Sequence, residues 1–597
     1  MPSLATSIPQ STFRIGVFQL EPSRQAAGLG TGRKAKALLD VTGLAGFSKP
    51  VHVPPDQRRA ARGSGLMETG GLAARVARVV FHGWKTSLVA VAAGMAVSLL
   101  LFGFWMPYWR IADQDLPLAY QGLLLNDGRA QEYFDHTGYL YHLVLAAWYC
   151  LLHGLGILPV HALSELPPAT DVAGFDRAWQ QLVEAGRALS LILGVAFVSV
   201  YATLVRRLIG DWRLAVIAAI ALAYSGGIAM HIRIMRTELL SAGLVTSALL
   251  LVLVAARAGS VRRHLPIAAA GLCASLAVVT KVQAMLPALA IPVVALAFGQ
   301  VAQGPGNGRE PSAARRWAAA VLATALALAV AYPAAALLRQ GMAGAAIYRP
   351  LGGGLSGVYQ WLVVLWVAGA MAAYARAWRV PAAEALTAMA ALAFGIGLGL
   401  LSLDIRYHPQ NAVAVANPIE HMFAYAASGA SVLVHEPQML TGAFAVELAK
   451  GFVRALAMHS FVFSTSARPT LLLEWFAIGG AIALWRRGER RLPLQAALLI
   501  VIAWALDAVF SLRSLQTPYF AYTDPLLILA AALELAHLPD LQTKRWAQNA
   551  AMCLLVVYVV WAHVEPVKAV LRHNQPQDAC VWLPAHVSRV EFPFCRA

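Results

Sequence analysis

Two aspartates stand just past the end of an apolar run. In FWMPYWRIADQDLPLAYQ, residues 104–121, Asp113 and Asp115 follow a segment with the length and composition of a membrane helix. The next stretch, LLLNDGRAQEYFDHTGYLYHL (123–143), adds Asp127, Glu132, Asp135 and His136. A carboxylate close to a low-dielectric interface has a tunable pKa, which general-base chemistry uses. Acidic residues in a loop are also commonly just solvated. What sets these apart is their place at the edge of a bilayer, ahead of two candidate surface helices. Glu238, in IRIMRTELL (232–240), opens a later apolar run, where the helix dipole by itself favours an acid. Lys281, in LAVVTKVQAMLPAL (276–289), is the one charge between two short apolar segments. It either faces an anion or snorkels from a helix end.

The elements that must position these residues are membrane helices. Of 597 residues, 59% are hydrophobic and 13% charged, which excludes an ordinary soluble domain. The formal net charge of +17 comes largely from short basic clusters between apolar runs, where orientation signals sit, and so does not imply nucleic acid. The expected class is an all-α polytopic membrane protein with about 13 spans: 86–106, 186–207, 213–231, 237–256, 265–280, 283–300, 316–338, 357–377, 382–403, 470–485, 492–512, 518–537 and 546–563. Two long loops, 107–185 and 404–469, interrupt the series.

Every even-numbered span is followed by a basic loop, from RRLIGDWR (206–213) to RRGERR (486–491) and TKR (543–545). That alternation predicts a cytoplasmic N-terminus, an outside C-terminus and both long loops outside. It requires GYLYHLVLAAWYCLLHGLGIL (138–158), interrupted by His142 and His153, to lie on the outer face without crossing. Residues 1–80 read as a disordered basic arm with no signal-peptide core, and Met67 is an alternative start. The remainder divides into a first membrane module (86–338), a second (339–563) and an outer tail (564–597). Cys580 and Cys595 in that tail are candidates for a disulfide, or two free thiols.

The order of these features resembles the membrane glycosyltransferases of the C superfamily (GT-C), among them the protein O-mannosyltransferases and the lipid A aminoarabinose transferases. The resemblance rests on ADQDLPLAYQGLLLNDG after the first helix, then YFDHTGYLYHLVLAAWYCLLHG, then Arg187 opening the second helix in GRALSLILG. It covers residues 86–300, and the rest by topology alone. It implies transfer of a sugar from a polyprenyl-phosphate donor to a glycan, lipid or protein acceptor on the periplasmic side of a bacterial inner membrane. A first-loop carboxylate is then the base. The family pattern of two adjacent acids is replaced here by DQDL, which leaves Asp115, favoured by its spacing, and Asp113 as alternatives. Glu238 matches a second acidic position, and Lys281 matches the turn that meets the carrier phosphate. The arginine expected at the late helix start in TPYFAYTDPLLILAAALELA (517–536) is missing, and Arg513 is the nearby substitute. A divalent metal is used by some members and not by others.

The second long loop carries Glu447, Lys450 and Arg454 along one stripe of an apolar helix, which reads as interfacial. His421, with Asp135 and His136 of the first loop, is a candidate acceptor contact. Asp507, within the expected span 492–512, is the notable exception to charges that sit at span edges. The alternatives to an enzyme are a transporter or flippase of a lipid-linked sugar, and a non-catalytic assembly subunit.

Overall fold

The computed structural model describes residues 83–132, 138–257, 263–300, 312–344, 355–403, 410–416, 418, 442–460, 468–511, 517–538, 545–571, 575–581 and 583–596. The basic arm, Asp135, His136, His421 and Arg513 lie outside the described residues. Among those that are described, every regular element is helical.

The first module contains α1 (Trp84–Phe102), α2 (Ala112–Asn126), α3 (Tyr139–Gly154), α4 (Val172–Ile209), α5 (Trp212–Ala223), α6 (Gly226–His231), α7 (Thr237–Arg257), α8 (His264–Thr280), α9 (Met285–Phe298) and α10 (Ala313–Gly344). The second contains α11 (Leu355–Ala377), α12 (Ala382–Leu401), α13 (Gln410–Ala416), α14 (Gly442–His459), α15 (Thr470–Arg486), α16 (Arg491–Phe510), α17 (Phe520–Leu535), α18 (Arg545–Ala562) and α19 (Val564–Leu571).

Seven stretches are long and apolar enough to cross a membrane: α1, α4, α7, α12, α16, Ala313–Gly341 of α10, and Asn549–Leu571 across α18 and α19. Three shorter apolar helices add to them, so the chain is suited to a membrane; by length and composition alone the described helices supply seven of the thirteen expected spans. The difference has local causes. The expected span 213–231 is divided because Ser225 caps a new helix, its hydroxyl accepting from the Ile228 N–H at 3.4 Å. In the pair 265–280 and 283–300, Lys281 is extended between α8 and a single 3₁₀ turn, Val282–Ala284.

Helix α4 is longer than expected at 38 residues, because the Asp171 carboxylate caps the Gly174 N–H at 3.0 Å well before the apolar run begins. Its added turns bury Phe175, Ala178, Trp179, Leu182 and Val183, a helical stripe. That stripe, with Leu116, Tyr120 and Leu123 of α2 and Tyr141, Leu145 and Tyr149 of α3, forms a second core beside the main bundle. Val587 and Phe592 of the tail complete it. Cys580 and Cys595 are joined, with Cα atoms 5.5 Å apart.

Basic and aromatic residues gather the helix ends. At one end, Arg206 lies over the Trp84 ring at 4.9 Å and Arg491 over Trp378 at 5.3 Å, while Arg257 donates to the Leu208 carbonyl and Arg491 to that of Gly299. At the other, Ser98 meets His563 at 3.0 Å and Arg110 donates to the Val570 carbonyl at 3.1 Å.

Candidate functional site

Asp113 and Asp115 both fall in the first turn of α2, two residues apart, and therefore face different ways. Asp113 is exposed, with the Gln114 amide donating to it at 3.2 Å. Asp115 is fully buried. Its Oδ2 accepts from Arg187 Nε and Nη2 at 3.1 and 2.8 Å, and its Oδ1 accepts from the Met235 N–H at 2.8 Å. Arg187 spends its remaining donors on the carbonyls of Gly103, Phe104 and Met106 at 3.1, 3.2 and 2.6 Å. The pair thus satisfies the open carbonyls at the end of α1 and ties α1, α2, α4 and the segment before α7 together. Burial raises the Asp115 carboxyl above the usual aspartate range, against the pull of the Arg187 guanidinium and the Met235 N–H. The favoured base is therefore placed without solvent access, and its near alternative is placed with it.

Glu238 and Lys281 do come together. Lys281 Nζ lies 3.0 Å from Glu238 Oε1, and Arg236 Nη1 lies 3.8 Å from the same oxygen. The pair is almost sealed, with the lysine side chain 0% and the glutamate side chain 6% exposed. Among the described residues, the ion pairs here join two cations to one carboxylate. Tyr141 of α3 is within electrostatic reach of both Asp115 and Glu238, and burial followed by these carboxylates keeps its phenol protonated. His142 lies by Lys281, and burial, then that ammonium, holds its pKa down at about 3, so the imidazole is neutral. Gly138, at φ 56°, makes the turn into α3, and its N–H donates to the Thr280 carbonyl at 2.9 Å. A Cβ there would lie 2.5 Å from the His142 ring, so only glycine admits this close seam between the first loop and the Lys281 turn.

Beside this turn opens a cavity of about 570 Å³ between α8, α9, α11 and α12. Val278 and Met285 line it on either side of Lys281 in sequence, and Ile291, Val363, Met371 and Leu392 continue an apolar wall. Arg263 and Glu384 lie at the helix ends of one side and Arg339 at the other.

A second charged cluster was signalled in the sequence only by Asp507. Arg468, fully buried, donates from Nη1 to Asp507 at 2.7 Å, from Nε to Asp524 at 2.9 Å and from Nη2 to the Thr523 hydroxyl at 2.6 Å. His459 meets Glu474 at 2.6 Å and Asp507 at 3.0 Å. Burial lowers the His459 pKa, but the two carboxylates outweigh it and the net shift is upward. The guanidinium stacks on Phe520 at 4.1 Å, so Arg468 is the arginine found at the start of α17. Asp524 also accepts from the Gly227 N–H at 3.2 Å, where a Cβ would stand 2.3 Å from the Ala521 nitrogen. The partners come from five helices and a loop, at separations up to 297 residues for Gly227 and Asp524, so no local pattern marks the cluster.

The carboxylates here do not suit a divalent cation, since Asp115, Glu238 and Asp507 are each held by a fixed positive side chain. No family model, curated protein or solved structure matches the chain.

Proposed function

We propose that this chain is a membrane glycosyltransferase that takes a sugar from a polyprenyl-phosphate carrier and gives it to an acceptor hydroxyl or amine outside the cytoplasm. The observation that carries it is the buried cluster of Lys281, Arg236 and Glu238 at a turn whose neighbours in sequence, Val278 and Met285, line an apolar cavity. Lys281 and Arg236, beside Glu238, are the cations that would meet a phosphodiester. The cavity beside them has the lining that a prenyl tail requires.

In this reading Asp113 is the base. It takes the proton from the acceptor, whose oxygen or nitrogen attacks the anomeric carbon. The bond from that carbon to the phosphate oxygen breaks, the configuration inverts, and the carrier phosphate leaves against Lys281 and Arg236. Asp115 and Arg187 are positioning residues. Transfer from a polyprenyl-phosphate sugar in membranes tests the reading. Asp113→Asn is expected to slow turnover by about 10²–10⁴-fold while donor binding persists. Normal transfer by Asp113→Asn would remove it as the base, and absence of transfer by the unmodified chain with any such donor would overturn the enzyme.

The topology proposed with it has thirteen crossings, an inner N-terminus and the site on the periplasmic face. Its support is the gathering of Arg206, Arg257 and Arg491 at one end of the bundle and of the first loop and the disulfide-bearing tail at the other. Single cysteines at positions 210 and 488 are expected to react with an impermeant maleimide only after the membrane is opened, and one at position 130 in intact cells. Labelling of 130 and 210 from the same side would overturn it. A flippase of the same lipid-linked sugar is the second reading. It is favoured by the buried His459, Arg468, Asp507 and Asp524 cluster, since charge inside a helical bundle often marks a translocation path. Donor movement across proteoliposomes without transfer would decide for it.

A further inference from the structure

One group of side chains stands outside everything assigned above. It lies where the chain leaves α3, turns at Gly156 (φ 71°) and doubles back through a 3₁₀ turn, Leu163–Glu165. There His153, His161 and Glu165 each present a ligand atom, and the three atoms lie within 4.8 Å of one another. The two imidazole rings stack at 4.2 Å, 25° from parallel.

The hydrogen bonds around them select the tautomers. His153 Nδ1 faces the Leu158 carbonyl at 3.0 Å, which can only accept, so that nitrogen carries the proton. His161 Nδ1 meets Glu165 Oε2 at 2.8 Å, again an acceptor when ionised. His153 Nε2 is left with a lone pair, and His161 Nδ1 and Glu165 Oε2 lie close enough to share an ion in place of their hydrogen bond, the imidazole proton then sitting on His161 Nε2. An imidazole whose far nitrogen donates to a carbonyl or carboxylate is the arrangement that metal-binding histidines use.

The turn is fixed without any metal. Asp127 accepts from the Ser164 hydroxyl at 2.7 Å and from its N–H at 3.0 Å. The Asn126 amide bridges the carbonyls of Ala146 and His161 at 3.1 and 2.8 Å. Glu165 accepts further from the His161 N–H at 2.9 Å. The ligands therefore come from three places already held together, at half-buried His153 and His161 and exposed Glu165, so little ordering remains when an ion binds.

We propose that His153, His161 and Glu165 bind a divalent transition ion, zinc by the chemistry of the donors, with a fourth position open. Two imidazoles and one carboxylate suit zinc and disfavour calcium or magnesium, which want oxygen. In a tetrahedral zinc site with bonds of about 2.0–2.2 Å, ligand atoms sit about 3.4 Å apart, so binding draws the cluster in by up to about 1.4 Å. Such a clip would tie the end of α3 to the turn. It is independent of the glycosyltransferase proposal.

The test uses the full chain purified in detergent, stripped with chelator, reloaded with zinc chloride and desalted. Bound zinc is counted by elemental analysis, and affinity is measured by titration calorimetry. About one equivalent is expected in the unmodified chain and in a His586→Ala control. His153→Ala and His161→Ala should each weaken binding at least tenfold, with Glu165→Gln falling between. Cobalt loading adds a readout independent of melting behaviour: a strong tetrahedral visible band in the unmodified chain, lost in the histidine variants. Less than a tenth of an equivalent in the unmodified chain would overturn the proposal. So would binding or a cobalt band unchanged in the His153→Ala, His161→Ala double variant.

Discussion

At the scale of single residues, two acids of one helical turn have opposite fates. Asp113 meets water, and Asp115 is locked between Arg187 and the Met235 N–H. A buried ion pair adds little net stability, but removing one member strands the other, at about 3–5 kcal/mol. Asp115→Asn is therefore expected to lower the melting temperature in detergent by several degrees and reduce the yield of folded chain. Asp113→Asn should melt like the unmodified chain. The two variants thus separate positioning from chemistry by thermal melting and transfer rate together. Equal melting of all three proteins would mean that the Asp115–Arg187 pair does not hold the helix junction.

At the scale of elements, the C-terminal tail is a folded part of the first-loop layer. Glu132 accepts from Tyr120 at 2.5 Å and from Ser588 at 2.6 Å, and it also pairs with Arg589. Partial burial pushes its pKa up, but these donors outweigh it and hold the carboxyl below the usual glutamate range. Because the folded value is lowered, this contribution to docking is fully present above the unfolded value of about 4.3 and is lost as pH falls through the folded value. Limited proteolysis should find the tail protected near neutral pH and increasingly cut in strong acid, and Glu132→Gln should flatten that dependence. The disulfide closes a separation of 15 residues, for which loop entropy amounts to about 3 kcal/mol. Cys580→Ser is expected to make the tail protease-sensitive at neutral pH, and continued protection would show that the apolar contacts of Val587 and Phe592 suffice.

At the scale of the whole molecule, the Arg468 cluster binds α14, α15, α16 and α17 to one another, and through Gly227 to the first module. Arg468→Met leaves Asp507 and Asp524 buried without their cation and should cost about 3–5 kcal/mol. Adding Asp507→Asn and Asp524→Asn should recover much of that loss, because the interior then holds no uncompensated charge. Melting of the single and triple variants measures the coupling. If Arg468→Met alone keeps the melting temperature, the cluster does not join the modules. If the triple variant folds but loses donor movement or transfer, the charges serve function beyond packing.

The helical class, the membrane composition, most helix positions and the pairing partners in the tail were legible in the residues alone. Apolar runs, basic loop clusters and cysteine spacing are local signals, and the physics that reads them acts over one or two turns. The early start of α4 was written there too, in the stripe from Phe175 to Val183, but as an amphipathic pattern next to a much stronger apolar one. Other features depended on the tertiary structure. Asp113 and Asp115 are alike in type and two positions apart, and only the arrival of Arg187, 72 residues beyond Asp115, decides which one is buried. The meeting of Glu238 with Lys281 and the Arg468 cluster likewise arise where helices cross, and His153 meets His161 and Glu165 only through the turn that doubles the chain back after α3. A charge in a low-dielectric interior is tolerable only beside its partner, and that partner is chosen by packing in three dimensions.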